Sequence, residues 1–358
     1  MSVDETPARL EAVRAEMRRE NLDGYLVLGR ANSLYVSGFA CSSSRVLIAP
    51  DDALFFTDFR YIEAARKSIG VLSVRRDTRA KQDLARAIKR LGIKRLGVER
   101  SLPYGAALEY AEAFAPAQLI ATDAPLQKPR ARKSAAEIDR IRQAIRQTDA
   151  AYADLALDIC EGWSELETRN RLRRLIERHG GFGEAFDSIV ASGPNSSRPH
   201  AVPGERRLKR GDLVQIDTGM TVDHYCSDLS RVLCAGRPTE KMKRIHRIVL
   251  DAQRKAIDAI RAGVSSRKID SIARGWIEKK GFGRCFGHGL GHGLGLEIHE
   301  EPRFNQSSDT ILEEGMAMTV EPGIYLPGWG GVRIEDVVAV RADGCEILTA
   351  AAKEFAVF

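Results

Sequence analysis

Four acidic residues and a run of histidines stand where chemistry is the simplest reason for them. Asp217 and Asp228 lie eleven residues apart in two apolar, strand-like runs, DLVQIDTG and YCSDLSRVL. A hairpin centred between Val222 and Asp223 sets them directly opposite each other. Opposed Cβ atoms are only ~4.5–5.5 Å apart, and like charges there are destabilising. Glu321 and Glu335 repeat the pattern fourteen residues apart, about the midpoint Gly328 in PGWGG. Either a slipped register turns the acids to solvent, or cations neutralise both pairs. Hard or borderline divalent ions with oxygen ligands meet that demand.

The segment GHGLGHGLGLEIHE at 287–300 supplies three of the seven histidines, His288, His292 and His299. Five glycines interleave them, which allows tight backbone paths and close approach to a ligand. One imidazole can complete a carboxylate-rich metal site. The others can act as proton donors or oxyanion partners. No GxxxxGK[ST], HExxH or GxSxG pattern competes with this reading, and no strand-then-helix context supports a dinucleotide loop.

The elements that must position these groups divide into two regions. Residues 1–125 alternate helical and strand patterns and predict a compact α/β domain with a mixed sheet. Residues 126–133, within the proline-rich and basic stretch DAPLQKPRARKS, read as a linker. Ser134 stands three residues before Glu137, a capping-box signature that opens a long helix. Residues 134–358 carry blocks of helices and strand-like runs, which predict an α+β domain with an antiparallel sheet covered by helices. A helix-helix-strand-strand order recurs from 134 to 233 and from 239 to 340, pointing to two related halves.

With 358 residues, 44% hydrophobic and 29% charged, the chain has the composition of a globular protein. No apolar run reaches the ~18–20 residues of a membrane helix, and the amphipathic N-terminus lacks an apolar signal core, so a cytoplasmic protein without membrane contact is expected. The net charge of +6 is uneven, since residues 1–133 hold 23 Lys and Arg against 16 Asp and Glu. No nucleic-acid recognition motif accompanies that excess, and Arg75-Arg76, Lys89-Arg90 and Lys94-Arg95 lie between acids, so a solvated face and no nucleic-acid partner is the expectation. Six scattered cysteines without a CxxC pair suggest buried apolar residues rather than disulfides or a zinc site.

The motifs IDTG at 216–219, YCSDLSR at 225–231, HGLGHGLGLEIHEEP at 288–302, VEPGIY at 320–325 and VRIED at 332–336 together resemble the Xaa-Pro peptidases. These belong to the pita-bread dinuclear metallopeptidases, which also include methionine aminopeptidases. GPNSSRPHAVPG at 193–204 is similar to the first catalytic-histidine loop of that family. The first 125 residues match its creatinase-type N-terminal domain in pattern and length. The resemblance implies a pita-bread catalytic domain at 134–358.

Carried over by position, the resemblance implies five metal ligands. Asp228 and Glu335 would bridge two divalent ions, Asp217 would hold one, and His292 with Glu321 the other. Manganese is expected, with cobalt or zinc as alternatives. His200, His288 and His299 match the non-ligand active-site histidines. The implied reaction is hydrolysis of the bond before proline by a hydroxide shared between the ions, with Glu321 moving the proton. His288 is expected near the substrate carbonyl or the proline, and His299 at the oxyanion. Arg303 matches an arginine that reads a dipeptide's C-terminal carboxylate, and a surface role is the alternative. Arg333 shares a strand face with Glu335 and either supports that carboxylate, pairs with another acid or borders the substrate. The expected activity is an Xaa-Pro dipeptidase acting on small peptides with proline second. An aminopeptidase on longer peptides and a non-catalytic binding protein are the alternatives. A homodimer is implied.

Overall fold

The computed structural model describes residues 5–358. The chain divides into two compact units after Arg130. In the first, the described strands form a mixed sheet in the order Ser73–Arg76, Ala53–Thr57, Ser44–Ile48, Gly24–Val27, Arg95–Val98 and Gln118–Ala121. Its core gathers Leu26, Leu47, Leu54, Phe56, Leu84 and Leu96. The strand Ser73–Arg76 was not legible in sequence, because its side chains are mostly exposed and carry no apolar alternation. It lies at the sheet edge, where Arg75 and Arg76 discourage pairing with another chain.

The division after Arg130 falls within residues 126–133, the stretch read as a linker, and much of that stretch is helical. The helix, Ala124–Ala131, buries Leu126 at 1% exposure. Pro125 occupies the first turn, where a missing N–H costs nothing. The proline and charge content of this stretch hid a single apolar anchor.

In the second unit the helices come in pairs. Ala135–Asp158 and Glu165–Arg178 cover a sheet ordered Ala356–Val357, Leu229–Cys234, Leu213–Thr218, Ile189–Ser192. Glu240–Ala259 and Ser266–Lys279 cover a second, ordered Glu300–Phe304, Gly291–Gly293, Ala317–Val320, Asp336–Val340, Cys345–Ile347. These repeated layers realise the two related halves read in the sequence. The capping box forms as expected: Glu137 N–H donates to Ser134 Oγ at 3.1 Å and Ser134 N–H to Glu137 Oε2 at 2.9 Å. Ser164 and Glu167 repeat it on the next helix. Of the cysteines, Cys226 and Cys234 are buried as expected, whereas Cys160 is exposed and the others are half-buried.

Candidate metal centre

Asp217 is the penultimate residue of the strand Leu213–Thr218 and pairs with Ser230, not with Asp228. The turn is centred between Asp223 and His224, one residue later than expected, with Val222 paired to Tyr225. Asp223 and His224 both adopt positive φ, 45° and 71°. Such turns favour glycine or asparagine, so this Asp-His pair gave little warning of its place. The shift moves Asp217's partner by two residues. Side chains alternate with period two, so Asp217 and Asp228 still share a face.

Glu321 and Glu335 fall in the expected register. Val320 pairs with Asp336 on one side of them and Gly323 with Arg333 on the other. The ladder opens between these flanks. Glu321 N–H bonds Leu290 O at 2.8 Å and Glu335 N–H bonds Ser230 O at 3.1 Å. The Gln253 amide fills the gap, donating to Val320 O at 3.1 Å and Ile334 O at 3.3 Å. Both carboxylates therefore sit where two strands part.

His292 arrives on the short strand Gly291–Gly293. A Cβ on Gly291 would lie 2.0 Å from Thr319 O, so only glycine lets this strand approach its neighbour. The His292 N–H donates to Thr319 Oγ1 at 3.0 Å. Its ring Nδ1 lies 3.0 Å from Gly293 O, and a carbonyl only accepts, so Nδ1 carries the proton. The Nε2 lone pair then faces Asp228 Oδ2 at 3.6 Å and Glu321 Oε1 at 3.5 Å. Burial pushes the imidazole down to about 3, so the ring itself carries no second proton near neutral pH.

The electrostatics ask for positive charge. Burial, with Asp217 and Glu321 nearby, holds Asp228 well above the usual carboxylate range. Burial and Asp228 do the same to Glu335. Burial pushes Glu321 up to about 8. Asp217 Oδ1 is buried without a hydrogen-bond partner. One donor atom each from Asp228, His292 and Glu335 lies within 4.8 Å of the others. Four carboxylates, an unprotonated imidazole nitrogen and an orphaned oxygen fit divalent cations.

Arg333 departs from two of its expected contacts. It pairs with Asp217, Nη2 to Oδ2 at 2.5 Å, rather than with Glu335. Its Nε donates to Ser230 Oγ at 2.8 Å, and Nη1 to Tyr325 OH at 2.8 Å and Pro199 O at 3.3 Å. These bonds turn its donors to protein groups and away from a substrate contact, and the side chain is 3% exposed. The short strand pair Gly323–Leu326 and Gly330–Arg333 brings Tyr325 beside it. Tyr325 is a site residue the sequence reading passed over, although it closes the VEPGIY motif.

Both nitrogens of His288 are engaged. Nδ1 donates to Gly289 O at 2.8 Å, which leaves Nε2 to accept the Tyr325 O–H at 2.9 Å. Burial and Arg333 push this ring down to about 4. The expected contact of His288 with a substrate carbonyl would have to displace Tyr325. His299 stands at the surface with its ring edge-on to His292, centroids 4.4 Å apart. His200 is exposed, and Arg303, cross-strand from His292, is 36% exposed. A cleft of about 840 Å³ joins all ten expected site residues. Leu166, Phe186, Val202 and Ile298 line it as well, giving it an apolar side.

Residues 139–342 match metallopeptidase family M24, and residues 9–132 match the creatinase/prolidase N-terminal domain. The chain belongs to metallopeptidase family M24. An Xaa-Pro dipeptidase of Pyrococcus horikoshii is 37% identical over 94% of this chain and 95% of its own. The solved structure of an Xaa-Pro dipeptidase from Bacillus anthracis is 38% identical, covers 99% of this chain and 100% of its own, and superposes with a TM-score of 0.96. That of an X-Pro aminopeptidase from Thermotoga maritima is 36% identical, covers 96% of this chain and 100% of its own, with a TM-score of 0.88. As an M24 member, the chain has the pita-bread fold behind a creatinase-type domain.

Proposed function

We propose that this protein is a metal-dependent Xaa-Pro dipeptidase. The observation that carries the reading is the convergence of Asp228, Glu321 and Glu335 on His292, with Asp217 in the same cleft, which has an apolar side. Asp217, Asp228, His292, Glu321 and Glu335 would hold divalent ions. Four carboxylates balance the charge of two such ions, and manganese is preferred to cobalt or zinc. Bound there, the ions supply Lewis-acid polarisation and an activated water.

The chain's own residues do the rest. Glu321, lining the cleft beside His292, takes a proton and returns it to the departing proline nitrogen. That nitrogen comes from a tertiary amide with no N–H, so recognition must use other groups. His299 donates to the developing oxyanion. His200 contacts the substrate from the cleft wall. His288 acts through Tyr325 and Arg333, which hold Asp217 in place. Arg303, half-buried at the cleft with Nε 3.7 Å from Glu301 Oε1, reads the dipeptide carboxylate. The enzyme works as a cytoplasmic homodimer.

The aminopeptidase reading draws on the Thermotoga maritima likeness. Protein stripped of metal and reloaded with manganese, assayed on Ala-Pro, Ala-Pro-Ala and Met-Ala-Ser, separates the two. Preference for Ala-Pro, reduced roughly 10-fold or more relative to Ala-Pro-Ala in Arg303→Ala, supports the dipeptidase. Preference for the tripeptide makes it an aminopeptidase, and cleavage of Met-Ala-Ser alone rejects both.

A further inference from the structure

The stretch Phe286–Leu290 carries His288 between Gly287 and Gly289 and precedes the regular strand pairing that begins at Gly291. Three of its main-chain groups nevertheless bond to side chains of a neighbouring helix. Arg274 Nη1 donates to Phe286 O at 3.0 Å, and Nη2 donates to His288 O at 2.8 Å. Asp270 Oδ1 accepts from Leu290 N–H at 3.1 Å. Alternate residues 286, 288 and 290 thus bond to two side chains, much as they would to a neighbouring strand.

Asp270 and Arg274 lie one helical turn apart on Ser266–Lys279 and so share a face. They are joined by two bonds of 2.8 Å, Nε to Oδ2 and Nη2 to Oδ1. Asp270 is fully buried. A buried ion pair adds little net stability over apolar residues of the same volume, so stability does not explain it. Its forked geometry does serve the histidine segment. The guanidinium also lies over the Phe286 ring, 4.4 Å from the centroid, and Phe286 meets the His288 ring edge-on at 5.0 Å.

We propose that Asp270 and Arg274 are positioning residues that fix His288 against Tyr325, and through it the Arg333–Asp217 pair. The activity part of this proposal rests on the peptidase reading above. Lysine has a point charge and no fork, so it keeps the pairing with Asp270 and cannot hold both carbonyls.

The test compares wild type, Arg274→Lys, Asp270→Asn, His288→Ala and the Arg274→Lys/His288→Ala double variant as full-length protein, loaded with manganese for kinetics and with zinc for the spectra. Arg274→Lys should fold and bind as much zinc as wild type. Its kcat on Ala-Pro should fall about 10-fold with KM changed less than about 3-fold, a loss in the range that small misplacements produce. Asp270→Asn should act in the same direction. In the His288→Ala background Arg274→Lys should cost less than about 2-fold, because the group it positions is gone. An equal loss in both backgrounds overturns the proposal in favour of a general structural role. In ¹⁵N-histidine spectra the His288 ring signals should shift in Arg274→Lys, while those of His179 and His246 stay in place. Unmoved His288 signals overturn the proposal whatever the activity. A manganese-loaded wild type that cleaves no peptide removes the peptidase reading, and the spectra then decide the positioning claim alone.

Discussion

At Glu321 two demands oppose each other. Burial favours the neutral acid and pushes it up to about 8, whereas a ligand and proton carrier must ionise. Divalent cations resolve the conflict by stabilising the anion. Glu321→Gln keeps the shape and removes the proton site. At saturating manganese its kcat on Ala-Pro should fall about 10²–10⁴-fold, the usual worth of a positioned acid or base. Metal analysis of the same sample should still find bound ions. Near-wild-type turnover with metal retained would move the proton role to another residue. The four acids stood out in sequence because like charges in apolar strands need a reason, whereas only the family resemblance singled out His292 from its neighbouring histidines. The partner of Arg333 was not, since nothing within VRIED points to Asp217, more than a hundred residues earlier.

Among the elements, the short strand Gly291–Gly293 sets the tightest geometric condition. Gly291→Ala would press a methyl against Thr319 O, whose own hydroxyl receives the His292 N–H. Overpacking of this kind costs about 1–3 kcal/mol. The variant should lose roughly 2–10 °C in Tm by calorimetry and bind manganese more weakly. Unchanged Tm and affinity would mean that the strand yields easily and does not set the position of His292. Helices with capping boxes and helical periodicity, such as Ala135–Asp158, were readable because local sequence and packing agree. The Asp217 hairpin was readable in kind and off in register, because Asp223-His224 takes a conformation usually marked by glycine. The helix Ala124–Ala131 was missed because its anchoring depends on the burial of Leu126, which no local pattern announces.

For the whole molecule, the buried acids couple folding to pH and to metal. Glu321 is raised from an ordinary 4.5 to about 8, and Asp228 and Glu335 are raised as well. A carboxyl raised by folding binds more protons in the native state than in the unfolded one. The stabilisation is full below the unfolded pKa and is lost as pH rises through the folded one. Compared with its Glu321→Gln variant, metal-free protein should lose an additional ~3 °C or more of Tm between pH 5 and pH 8. Manganese should restore more at pH 8 than at pH 5. Parallel pH profiles for the two proteins would show that Glu321 is not an uncompensated buried acid. Across both units, the α/β and α+β division and the paired-helix halves were visible in sequence order. The basic excess of the first 133 residues gave no function by itself, and in the structure Arg75 and Arg76 simply guard an exposed edge.

The most direct test of the central claim is a manganese titration of metal-free protein while Ala-Pro hydrolysis is followed. The proposal predicts no turnover without metal and activity that rises with added manganese to a plateau at two ions per chain. Equal hydrolysis with and without metal, or no hydrolysis at any manganese concentration, would contradict it.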